Sequence, residues 1–89
     1  MTEKRIKMIK DKLDSLNPIK IKIEDQGYLH VGHAGAKSGG HFKLIIISEH
    51  FKNKSLIERH RIIYDALGAL MKTEIHALSI KAYSPNEEN

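Results

Sequence analysis

Ile6, Ile9, Leu13 and Leu16 recur at intervals of three and four residues, which places them on one stripe and predicts a helix over 2–16. Thr2 suits its N-cap. Asn17-Pro18 should end it, because the residue before a proline is pushed out of the α region. The period then changes. Ile19, Ile21 and Ile23 alternate with Lys20, Lys22 and Glu24, the pattern of a half-buried strand over 19–24 with one wet face. A second strand is predicted over 41–48. Its unbroken apolar run 44–47 implies burial on both faces and hence a central position.

Ser55-Leu56-Ile57-Glu58 has the form of a capping box, in which the serine hydroxyl accepts from the Glu58 amide while the Glu58 side chain reaches back. The helix it opens should run to about Lys72. Leu56, His60, Ile63, Ala66, Leu67 and Leu70 form its main stripe, with Ile57, Tyr64 and Met71 beside it. Gly68 falls inside this helix at a cost of about 1 kcal/mol relative to alanine. A third strand is predicted over 75–83. His76, Leu78, Ile80 and Ala82 share one face, and Ile75, Ala77, Ser79, Lys81 and Tyr83 the other. Residues 85–89 read as a polar tail that frays. The order is helix, strand, long loop, strand, turn or short helix, long helix, strand. It predicts a single α+β domain over 1–84, with helices packed on one face of a small mixed sheet.

The segment 27–40 holds five glycines in fourteen positions and no sustained period, so it reads as a loop. A loop of that length in a chain of 89 residues is commonly functional or disordered. It carries His30 and His33, with His41 just beyond it. The whole chain has six histidines and no cysteine. Imidazole can bind a metal, move a proton or contact phosphate. Without a thiol, any soft-metal chemistry must rest on these histidines or on ligands from a partner.

Each candidate also has a plainer reading. His30 and His33, three apart, suit metal ligation only weakly and equally suit a solvated loop. His41 reads first as a polar residue opening a strand while Phe42 enters the core. His76, in phase with Leu78 and Ile80, reads as a partly buried histidine held by backbone at a strand edge. In Arg59-His60-Arg61 the two arginines lie roughly 200° apart on a helix, so they do not both face one ligand. His60 falls on the apolar stripe and is expected inside. Phosphate at this helix start remains open, since N-terminal amides attract anions.

The net charge of +4 gives a modest bias toward anionic partners. Residues 1–7 lack an apolar core of the signal-peptide kind, and no run approaches the ~18 apolar residues of a membrane span. The expectation is a cytoplasmic protein without membrane association. There is no P-loop, H-E-x-x-H or G-x-S-x-G motif. Ser48, His50 and Asp65 show no spacing that organises a triad, and the chain reads as a non-enzyme.

Gly32-His33-Ala34-Gly35, Gly39-Gly40-His41-Phe42 running into Lys43-Leu44-Ile45-Ile46-Ile47-Ser48, Phe51, Lys54-Ser55-Leu56-Ile57-Glu58-Arg59-His60-Arg61 and Ile75-His76-Ala77-Leu78 occur in order. In these pieces the chain strongly resembles the BolA family, over nearly its whole length. The resemblance implies a class II KH-like fold of order α-β-β-α-α-β, with helices on one face of a three-stranded mixed sheet. It also implies a monothiol glutaredoxin as partner and a [2Fe–2S] cluster shared with that glutaredoxin and its glutathione. The isolated chain is expected to hold no cluster. By the resemblance, His76 is one cluster ligand and His33 or His30 the second, with His33 the first choice. Mixed imidazole and thiolate ligation of such clusters is chemically sound.

The alternative implied by the family is a DNA-binding transcriptional regulator, in which Lys52, Lys54, Arg59 and Arg61 would touch phosphate. Fold analogy alone carries little here. KH domains clamp backbone with a GXXG loop, whereas this chain has Phe51-Lys52-Asn53-Lys54-Ser55 between its second strand and long helix. A third reading is an adaptor that pairs through its sheet edge and needs no metal.

Overall fold

The computed structural model describes residues 2–26 and 40–87. Six main elements follow the order α-β-β-α-α-β: helix α1 (Thr2–Leu13), strands β1 (Lys20–Asp25) and β2 (Gly40–Ile47), helices α2 (Leu56–Leu67) and α3 (Leu70–Thr73), and strand β3 (Ile75–Tyr83). The sheet order is β1-β2-β3. β1 pairs antiparallel with β2, and β2 pairs parallel with β3, so the sheet is mixed and β2 is central. The order is compatible with the KH-like arrangement.

One face of the sheet meets the helices. Phe42, Leu44 and Ile46 of β2 and Ala82 of β3 are buried with Ile9 and Leu13 of α1, Leu16, Phe51, and Ile63 and Leu67 of α2. Ile21, Ile23, Leu78 and Ile80 pack against this cluster. On the opposite face, Ile45 is half-buried. Ile47 is buried between its cross-strand neighbours Lys20 and Tyr83. Gly40 opens β2 where a side chain would collide with the Phe42 ring. Among the described residues no helix is long and apolar enough to cross a membrane.

Several expectations are corrected. The first helix tightens after Leu13 into a 3₁₀ turn, Asp14–Leu16. Asn17 at φ 47° closes it and donates its N–H to the Asp14 carbonyl. The tighter turn keeps Leu16 buried. Ile19 lies before the first strand residue and is 64% exposed. The long helix does not pass through Gly68. Gly68 adopts φ 56° and caps α2, a conformation that costs a residue with a Cβ. The Ser55–Glu58 capping box is present in both directions.

The inner stripe of α2 is also rotated from the expected one. Leu56 and Ile57 are 68% and 66% exposed, and Tyr64 faces outward as well. The position one turn before Ile63 is taken by Arg59, only 6% exposed. Its guanidinium donates to the carbonyls of Lys54 and Ala82 and, through both terminal nitrogens, to the Glu87 carboxylate. A buried charge is tolerated only with such partners. The start of the polar tail is therefore ordered rather than frayed: Pro85–Glu87 forms a 3₁₀ turn tied to α2 by that pair.

Candidate functional site

The functional geometry lies where β1 ends and β2 begins. The Gln26 N–H donates to the His41 carbonyl at 2.7 Å, and the Gly40 N–H donates to the Glu74 carbonyl at 3.1 Å. The parallel ladder shifts register here. Gly40 pairs with Ile75, but His41 pairs with Ala77. His76 is thus the additional residue of a bulge. Bulges of this kind break strict alternation and re-aim a side chain.

That bulge overturns the expected environment of His76. Ile75 is buried, while His76 and Ala77 are both exposed. His76 is therefore not a partly buried member of the Leu78–Ile80 face. Its ring lies 4.9 Å from that of His41, centroid to centroid, tilted by 41°. His41 is half-buried. Phe42 takes the core side of β2, so His41 takes the other. His41, but not His76, lines an open depression of about 370 Å³ together with Gln26, Phe42, Ala77, Leu78 and Ser79.

His30 and His33 lie outside the described residues. The residues flanking their segment, Gln26 and Gly40, both stand at this end of the sheet. Among the described residues, no group of three or more His, Asp or Glu side chains gathers as a metal site. What this end of the sheet offers is two neighbouring imidazoles. Such donors suit iron, zinc and copper. With no cysteine in the chain, an iron–sulphur cluster held by thiolates fits here only if those thiolates come from another molecule.

His41 as a companion of His76 is not legible in the residues. Alternation could show that His41 points away from Phe42. It could not show which β3 residue stands beside it, because that depends on the parallel register and its bulge.

The basic region is reduced by the fold. Lys52, Lys54 and Arg61 are exposed, but Arg59 is buried and its donors are engaged within the chain. It leaves the set of residues able to grip phosphate. The start of α2 is likewise occupied. The Glu58 carboxylate accepts from the Ser55 N–H at 2.8 Å, and that bond is the first cause holding it below the usual carboxylate range. A phosphate arriving at these amides would meet a negative charge.

His60 is half-buried rather than inside the core, with its ring edge-on to Tyr64 at 6.5 Å. His50 is exposed in a 3₁₀ turn, Glu49–Phe51. Ser48 is fully buried and donates its hydroxyl to the Leu16 carbonyl at 2.6 Å. With Ser48 buried and His50 and Asp65 exposed, these three form no hydrolytic site.

Comparison with known proteins agrees with this architecture. The family model described as BolA-like protein matches residues 12–87. SufE-like protein 1, chloroplastic/mitochondrial, of Arabidopsis thaliana is 43% identical over 89% of this chain and 23% of its own length. Protein BOLA1, chloroplastic, of the same plant is 39% identical over 96% of this chain and 56% of its own. The chain thus spans less than two thirds of either relative. The solved structure of BolA1 from Arabidopsis thaliana superposes with a TM-score of 0.81, at 34% identity and 96% coverage of both chains. The DNA-binding transcriptional regulator BolA of Escherichia coli (strain K12) is 31% identical over 90% of this chain and 79% of its own. The family match over residues 12–87, the identity to these relatives over most of this chain and the shared sheet and helix order establish that this chain belongs to the BolA family.

Proposed function

We propose that this protein is a non-enzymatic iron–sulphur handling factor that binds a monothiol glutaredoxin and shares a [2Fe–2S] cluster with it. His76 is the primary ligand from this chain, and His33 or His30 the second. The glutaredoxin and its bound glutathione supply the thiolates. The cluster is cargo of the complex. The observation that carries this reading is His76 itself: a bulge turns it out of the core into solvent, in a chain that has imidazoles but no cysteine. The flanks of the segment bearing His30 and His33 stand at the same end of the sheet, which supports the choice of second ligand.

The test mixes the chain with a monothiol glutaredoxin, glutathione, iron and sulphide, and follows the visible absorption and circular dichroism of the cluster. His76→Ala should abolish the mixed-complex spectrum. An unchanged spectrum in that variant removes the ligand assignment. Comparing His30→Ala with His33→Ala identifies the second ligand.

A second reading, duplex DNA binding in transcriptional regulation, is favoured by the exposed Lys52, Lys54 and Arg61 and by the name of the Escherichia coli relative, a DNA-binding transcriptional regulator. It predicts an affinity that falls steeply with salt and a shallower salt slope when these three charges are removed. Binding no tighter than that of an unrelated basic protein at physiological salt eliminates it.

A further inference from the structure

We infer that His41 and His76 together form a seat for a single divalent transition-metal ion, Zn²⁺ or another imidazole-binding metal, that needs no ligand from a second protein. The argument starts from ring spacing. A Zn–N bond of about 2.0–2.1 Å puts an imidazole centroid about 3.2 Å from the ion, so two rings on one tetrahedral ion stand about 5 Å apart. The two centroids here are separated by 4.9 Å with the planes inclined, not stacked flat. No displacement of either strand is needed to bring them to that spacing.

The frame is rigid. His41 lies on the central strand, and His76 is the bulged residue of its hydrogen-bonded neighbour. Two donors fixed on adjacent strands lose little freedom on closing around an ion, which is the condition for chelation. One side of the pair is open. His76 is exposed, and His41 lines a depression with room for water. Gln26 and Ser79 line it and can hydrogen-bond the waters that complete the shell. Two imidazole ligands, the described residues adding no third, make an exchangeable site rather than a structural one. The inference needs no partner protein. Where the proposed function also holds, the consequence is competition, because one His76 cannot serve both the ion and the cluster.

The experiment titrates Zn²⁺ alone into the intact chain, read by calorimetry and by the side-chain nitrogen resonances of the histidines. One equivalent should bind, and a nitrogen of each of His41 and His76 should shift together and saturate at that equivalent. His76→Ala, on an exposed side chain, and His41→Ala should each weaken binding at least about tenfold, as loss of one arm of a chelate does. The double variant His30→Ala/His33→Ala should retain it. Saturating shifts confined to other histidines, or loss of binding in the double loop variant alone, overturn the inference, as does an absence of binding. The shift pattern of the unmutated protein decides the matter even if His41→Ala misfolds. A protein that binds Zn²⁺ here yet gives no glutaredoxin cluster refutes the proposed function and leaves this site standing.

Discussion

Near the C-terminal end of β3, the Arg59 guanidinium donates to two backbone carbonyls and to both oxygens of Glu87, and it is almost wholly buried. Near the other end of the same strand, His76 is turned into solvent beside His41. Arg59 stands in a basic triplet and His76 in an apolar run of the sequence, and each suits either a binding or a structural role. The fold assigns them opposite roles. A guanidinium carries donors that must be satisfied once it is buried. Arg59 meets that demand within the chain, linking the start of α2 to the last turn. His76 is exposed by a break in the ladder that the core does not need, since Ile75 and Leu78 already supply the buried contacts on either side. Polar residues consumed by internal partners hold the molecule together, while those turned outward by a local irregularity are the ones to examine for binding.

The contrast can be broken by measurement. Arg59→Ala should cost about 2 kcal/mol in chemical denaturation, because it removes the charged hydrogen bonds to Glu87 and leaves the buried Ala82 carbonyl without that donor. A loss no larger than that of a surface substitution would mean that Arg59 is not structural. Glu87→Gln should cost less and depend on pH. The Glu87 carboxyl is held at about 2, from an ordinary 4.5, first by the Arg59 guanidinium and then by the Ser84 N–H. A lowered folded-state value means that the stabilisation is whole above the unfolded value and is lost as pH falls through the folded one. The stability gap between the parent and Glu87→Gln should therefore stay constant above about pH 5 and shrink toward pH 2. A gap that persists at pH 2 would assign the effect to something other than this ion pair.

Ser55→Ala, at the start of the same helix, should cost about 1 kcal/mol by loss of the cap, read from the denaturation midpoint at unchanged slope. The smallest stability effect belongs to the opposite end of the sheet. His76→Ala should change stability by no more than about 0.5 kcal/mol, as expected of an exposed side chain, while removing the cluster spectrum of the glutaredoxin complex. Destabilisation as large as that of Arg59→Ala would erase the distinction between the two ends.

Much of the framework was legible in the residues. Ile6, Ile9 and Leu13 of α1, the alternation of β1 and the apolar run of β2 each reflect local periodicity, which survives folding because each element must bury one face. The capping box was readable because its partners lie three residues apart. Gly68 falls within the helical period of the sequence, yet it ends α2. A glycine costs little enough in a helix to be tolerated there, and only its positive φ shows that it ends one. The phase of α2 was misread for a different reason. Leu56 is apolar and Arg59 is charged, so hydropathy assigned the first to the core and the second to solvent. The carbonyls of Lys54 and Ala82 and the carboxylate of Glu87 reverse that order, and two of those groups lie 23 and 28 residues away.

The same divide runs through the candidate site. The amino-acid sequence by itself determined the order of the strands and of the two long helices, the central strand, the absence of thiol ligands and the family, all of which rest on local pattern or on motifs in series. Only the tertiary structure decided that His76 leaves the core face, that His41 is its neighbour and that Arg59 is withdrawn from the basic surface. These depend on strand register and on long-range partners for buried polar groups. A one-residue bulge reverses which way a side chain points, and nothing in the local composition of Ile75-His76-Ala77 encodes which strand it will pair with.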